Sequence, residues 1–302
     1  TRDKFDALFG DLYIGKHPTP DRNTYLVLKL NFSGISGELH NYRQGMDAHC
    51  QTMFDYFCDI YADYLPQGIK EKLDEKSGAI EQLEYLFTEC NKTEQKIYLF
   101  IDEYDHFTNA ILSDAESLHR YTEETHKEGY LRAFFNKVKA GTDSCIKRCF
   151  ITGVSPVTMD DLTSGFNIGW NISTDFQFNM MLGFSETDVR TMFQYYKDAG
   201  QLPADTDIDA LIREIKPWYD NYCFAKESLE RDPKMVNCDM VLYYLRHYIT
   251  LGKSPEQMID PNTRTDYNKM KKLIRLDKLD GNRKGVLRKI TEEGEVITNL
   301  VT

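Results

Sequence analysis

The 302 residues are 41% apolar and include 17 Phe and 19 Tyr, enough for a buried core in one large domain or two ordinary ones, which excludes global disorder. Basic residues number 37 and acidic ones 48, and a net charge of −11 argues against a chain that coats nucleic acid or an anionic membrane through bulk charge. No apolar run is long enough to span a bilayer, the opening TRDKFDALFG has no signal segment, and seven irregularly spaced cysteines fit a reduced, cytoplasmic setting better than a disulfide framework.

In chain order, the amphipathic stretch to Phe9, followed by Gly10, reads as the tail of a helix. Tyr25 to Phe32 is a mostly apolar run between Pro18-Thr19-Pro20 and Ser33-Gly34, and predicts a buried strand. Gln44 to Tyr64 carries Met53, Phe54, Phe57, Ile60 and Tyr61 at helical spacing before Pro66 and Gly68 stop it. A second helix is predicted over Ala79 to Cys90, then a continuous apolar strand, Ile97 to Ile101, ending in Asp102-Glu103. A helix from about Glu116 to Ala140, closed by Gly141, leads to a strand at Cys149 to Val154. Strand, helices, strand, helix, strand is the order of an α/β parallel sheet.

After Pro156 the texture changes. One more strand is expected at Trp170 to Phe178, then helices at Glu186–Asp198, Ile208–Ile215, Cys238–Thr250 and Asp266–Leu279. A boundary near Gly183 gives an α/β core over 1–183 and a helical subdomain over 184–302, ending in a partial strand region at Val286–Thr302. Both ends look cut: there is no initiating Met, and the last hairpin-like stretch stops short of a stable partner. Residues 264–289 hold ten Lys/Arg against three Asp/Glu; such a run is ordinarily a solvated helix face, so nucleic acid is not an expected partner.

The most informative segment is Ile97 to Asp105, IYLFIDEYD. It places two carboxylates at the carboxyl end of a buried parallel strand, the edge at which open α/β sheets bind ligands. In NTPases of this layout the aspartate helps hold the Mg²⁺ that bridges the β- and γ-phosphates, and an adjacent glutamate polarises the attacking water. The ordinary alternative is a strand that ends in two solvated acids. The next strand, CFITGVSPV, ends in Thr152 with Ser155 just beyond, where a sensor of the γ-phosphate would sit; an ordinary exit turn around Gly153 and Pro156 is the alternative.

Such a site also needs a glycine-rich loop whose backbone N–H groups cradle the phosphates. Gly10 to Lys16 has the G-x-x-x-x-G-K spacing, but His17 stands where a hydroxyl should, and Pro18 and Pro20 block the helix that must follow. His247 to Ser254 lacks the first glycine. Neither is a phosphate loop. Two accounts stay open: the loop and its strand lie upstream of Thr1, or the chain is a degenerate relative without one.

Several segments together resemble the AAA-ATPase-like proteins of bacteria. They are Lys4 to Gly15, Tyr25 to Gly34 (YLVLKLNFSG), Ile101 to Asp105, Ile151 to Ile168 (ITGVSPVTMDDLTSGFNI), Leu182 to Ser185, and Trp218 to Tyr222. The resemblance implies a P-loop NTPase whose phosphate loop precedes the K-F-D-x-L-F segment, and often a restriction-nuclease-like domain after the ATPase part. By position it makes Asp102 the Mg²⁺-associated acid of a Walker B strand, Glu103 the catalytic base, and Thr152 and Ser155 sensor candidates. Asp105 matches as a further nucleotide-site residue, with helix capping as its ordinary role. Trp218 to Phe224 reads as packing of the helical part.

The expected fold is therefore α/β, a P-loop NTPase-like parallel sheet lacking its phosphate-loop strand, followed by a mainly helical subdomain. ATP and Mg²⁺ are the expected cofactors, and a nucleotide and a protein partner or second copy the expected partners, with no membrane. In that layout the missing first strand belongs beside the Thr152 strand. The competing reading is a non-catalytic interaction module that keeps the fold without turnover. His119, Glu123 and His126 on one helix face are read as a solvated surface, Cys145 and Cys149 as no zinc site, and the sequons at Asn31, Asn91 and Asn171 as silent.

Overall fold

The computed structural model describes residues 2–35, 41–106, 129–153, 169–220, 222–231, 234–261, 289 and 292–294. The chain divides into two compact units, Thr1–Ile168 together with Leu276–Thr302, and Gly169–Arg275.

In the first unit the elements are α1 (Arg2–Phe9), α2 (Tyr13–Lys16), β1 (Leu26–Asn31), α3 (Tyr42–Ile60), α4 (Ile69–Asp74), α5 (Ala79–Lys92), β2 (Ile97–Asp102), α6 (Tyr130–Thr142) and β3 (Ile146–Ile151). The three strands form a parallel sheet in the order β1–β2–β3. Leu26, Leu28 and Leu30 alternate with Ile97, Leu99 and Ile101 on one face, and both sets are buried. Against that face pack Met46, Cys50, Phe54 and Phe57 of α3, Leu83, Leu86 and Phe87 of α5, and Leu131, Phe134, Phe135 and Val138 of α6. Each such side chain contributes roughly 1.5–3 kcal/mol on burial, so the helical stripes read from the sequence are what hold this layer. The opposite face carries a row of partly exposed rings, with Tyr98 stacked on Phe100 at 4.3 Å between Tyr25 and Phe150.

Side chains from distant elements finish the backbone bonding. The Asp47 carboxylate of α3 accepts the Ala79 N–H at 2.6 Å, capping α5 from outside it, and also accepts the Tyr130 hydroxyl. On the edge of β1 away from β2, the Val27 N–H donates to the Tyr61 hydroxyl at 3.0 Å. On the other flank β3 pairs with β2 and, among the described residues, with no further strand.

The second unit holds α7 (Glu186–Asp198), α8 (Ile208–Tyr219) and α9 (Cys238–Leu251) around Val189, Phe193, Leu211, Ile212, Ile215, Tyr219, Val241 and Tyr244. Ser185 and Asp188 form a reciprocal capping box that starts α7. Two antiparallel bridges, Phe184 to Val236 and Tyr222 to Met235, tie the connecting segments. The buried Asn179 accepts the N–H groups of Phe224 at 2.9 Å and Ala225 at 3.0 Å. Within the Trp218–Phe224 cluster Tyr219 belongs to this core, whereas Trp218 and Tyr222 are exposed.

Some elements differ from the sequence expectation. Trp170–Phe178 is not a strand: Asn171 accepts the Ser173 N–H and Asp175 the Gln177 N–H, and these side-chain turns bend the chain into a 3₁₀ turn at Phe176–Phe178. β3 starts at Ile146 rather than Cys149, because the exposed Lys147 and Arg148 hide its first residues from an apolar search. Helix α8 runs through Pro217 to Tyr219, and the proline removes one backbone hydrogen bond just before the helix ends. The helix α4 has too few residues to show a period. Most of the Glu116–Ala140 expectation, and all of the Asp266–Leu279 helix, lies outside the described residues. So does nearly all of Val286–Thr302, where Glu292 and Glu293 are helical.

Candidate functional site

The sheet register brings the ends of the strands together. Asn31, the last residue of β1, lies opposite Asp102, the last of β2. One strand over, Ile101 pairs with Ile151, so Thr152 leaves β3 level with Asp102. The Thr152 N–H donates to the Ile101 carbonyl at 2.8 Å and its carbonyl accepts the Tyr104 N–H at 3.2 Å, which locks the two exits to each other.

The Asp102 carboxylate is the hub. Its Oδ1 accepts the Thr152 hydroxyl at 2.5 Å and the Glu103 N–H at 3.0 Å, while Oδ2 faces the Asn31 amide at 3.4 Å. A carboxylate has about four lone-pair sites, so this exposed group keeps acceptor capacity toward solvent. Glu103 follows at a φ of +54°, a left-handed conformation that few residues other than glycine adopt. Its carbonyl accepts the His106 N–H at 2.9 Å, closing a turn that takes Glu103 off the strand's alternation.

Asp105 has a different place. It is fully buried, with Tyr104, beneath the Thr152–Gly153 exit. A Cβ on Gly153 would lie 2.5 Å from Asp105 Oδ1 and 2.4 Å from the Tyr104 ring, so only glycine lets the exit settle there. The structure thus unites Asp102, Glu103 and Thr152 and sets Asp105 below them. Ser155 lies outside the described residues, as do His119, Glu123 and His126.

Sequence reasoning missed Asn31 and Ser33. The Asn31 side-chain oxygen accepts both the N–H and the hydroxyl of Ser33, at 2.9 and 2.7 Å, which fixes the amide so that its nitrogen faces Asp102. The signal was present as an Asn-x-Ser turn closing an apolar strand, but a sequon and an Asx turn share that pattern.

Among the described residues no group of three or more His, Cys, Asp or Glu could enclose a metal ion. One exposed carboxylate with two polar neighbours does suit Mg²⁺, which keeps several waters and takes its remaining ligands from phosphate. Asp102 is the residue that would hold it.

Residues 1–163, more than half of the chain, match the family described as "Predicted AAA-ATPase". The chain belongs to that family. This AAA-ATPase-like chain is also similar to an "Uncharacterized protein in vnfD 5'region" of Azotobacter chroococcum mcd 1, at 29% identity over 136 residues. The match covers 45% of the present chain and 23% of that relative, so the chain spans well under two thirds of the relative's length. No solved structure matches. Membership carries the nucleotide-binding theme, and no helix among the described residues is long and apolar enough to cross a membrane.

Proposed function

We propose that the chain forms the core of an ATP-binding and ATP-hydrolysing NTPase, with Asp102 as the Mg²⁺-associated acid and Glu103 as the base. The observation that carries this reading is the Thr152–Asp102 hydrogen bond, which joins the tips of two adjacent parallel strands immediately beside Glu103. Bound Mg²⁺ would supply charge neutralisation across the β- and γ-phosphates. Asp102 keeps its orientation through Thr152, Asn31 and the Glu103 N–H. Glu103, turned off the strand axis, is free to accept a proton from water. The Thr152 hydroxyl can rotate from Asp102 toward a phosphate oxygen, which suits a sensor, and Ser155 is assigned to the same exit segment. Asp105, buried under Gly153, is assigned to holding that exit in place. In this reading the phosphate cradle lies on the flank of β3 that pairs with no strand among the described residues. A reducing compartment is part of the same proposal, supported by seven cysteines that are all free.

The test is Glu103→Gln in the full gene product. Hydrolysis is expected to fall by about 10²- to 10⁴-fold, the range of general-base catalysis, while nucleotide still binds. If wild type neither binds nor hydrolyses nucleotide, the ATPase assignment is wrong and the interaction module is the better description; if the variant hydrolyses as fast as wild type, Glu103 is not the base.

A further inference from the structure

The carboxylate hub is held from β1 by a single side chain, Asn31, and something must hold Asn31. Its reach to Asp102 depends on the turn from Asn31 to Gly34, which caps a 3₁₀ segment at Phe32–Gly34. One side chain touches both ends of that turn. The His49 imidazole, on α3, faces the Asn31 backbone. Its Nε2 is buried without a partner among the described residues. At the other end, a Cβ built on Gly34 would lie 2.6 Å from His49 Cε1 and 3.0 Å from Nδ1, so the ring edge rests directly on the glycine.

We propose that His49 is a positioning residue of the strand-end site, acting through the Asn31–Gly34 turn to keep the Asn31 amide on Asp102. It touches neither carboxylate and is not a catalytic residue. Burial favours its neutral form, in which one ring nitrogen donates and the other accepts. A ring N–H suits the Asn31 carbonyl as its acceptor. The geometric claim is independent of any nucleotide; only its effect on Mg²⁺ rests on the proposed function.

Two measurements test it on the full chain. The first follows the Asn31 side-chain amide by ¹H–¹⁵N NMR in wild type, Asp102→Asn, His49→Leu and His49→Asn. Asn keeps a side-chain N–H at this position, and Leu offers none. His49→Leu is expected to move the Asn31 signal in the direction that Asp102→Asn moves it, with His49→Asn staying near wild type. Gly34→Ala, which pushes the ring aside, should move the signal likewise, and by less than half as much in the His49→Asn background. This pair carries the test if His49→Leu does not fold. An Asn31 signal indifferent to both His49→Leu and Gly34→Ala overturns the proposal.

The second measures half-saturation by Mg²⁺ in the presence of ATP. Partners behind a metal ligand typically change affinity 10- to 100-fold, and a residue one step further back is expected to cost about tenfold or less. His49→Leu should raise the Mg²⁺ requirement, and His49→Asn should restore it. If the NMR signals shift as expected but no Mg²⁺–nucleotide binding exists even in wild type, His49 stands as the support of Asn31 and the ATPase reading falls.

Discussion

Glu103 holds a left-handed backbone with a bulky side chain, a conformation that costs on the order of 1–3 kcal/mol and survives only where neighbours enforce it. Its enforcers are the Thr152 bridge on one side and the His106 turn on the other. In most elements glycine is less stable than alanine; here the order reverses. Glu103→Gly is expected to be more stable than Glu103→Ala by about 1–2 kcal/mol in urea unfolding, because alanine keeps the strain and glycine relieves it. Equal stabilities would mean that the turn is not strained. At this scale Asp102, Glu103 and Thr152 were legible, since each follows an apolar run and the strand-end rule gives such residues a meaning. Asn31 was not, because its partner lies 71 positions away and only the register reveals it.

Among the elements, the segments that could be read were those whose periodicity ran long enough. Helix α7 begins and ends where the sequence placed it, because Ser185 and Asp188 announce its start. Ser185→Ala removes one half of that box and should cost about 1 kcal/mol, with Ser185→Thr close to wild type. A chemical-denaturation midpoint unchanged in Ser185→Ala would show that the start of α7 is held by packing alone. Helix α5 carries no such announcement. Its capping group is Asp47, 32 residues upstream and on another helix, so nothing local to the α5 sequence identifies it. The failed strand at Trp170–Phe178 makes the complementary point. Its aromatic residues have high strand preference, but Asn171 and Asp175 bond to the backbone two residues on and win.

For the whole molecule, composition and element order were enough to reach a parallel α/β sheet with helices. They could not supply the strand ends' mutual geometry. Cysteine chemistry reports on the packing of both units. Cys50, Cys58, Cys90 and Cys145 are buried, and burial pushes the thiols of Cys50, Cys58 and the half-buried Cys149 up to about 12. A thiol-specific reagent at pH 8 reacts with thiolate, so only Cys223 and Cys238 should label quickly in the native protein, and all seven in denaturant. Four or more fast thiols would contradict the core described above. The Tyr61 hydroxyl on the Val27 N–H has a consequence of its own. With that donor occupied, the β1 margin offers one N–H fewer to a further strand than an open edge would. A strand added past β3, from this polypeptide or another, would lie along the flank from which Thr152 emerges, so that lengthening the sheet there would also build a wall beside Asp102.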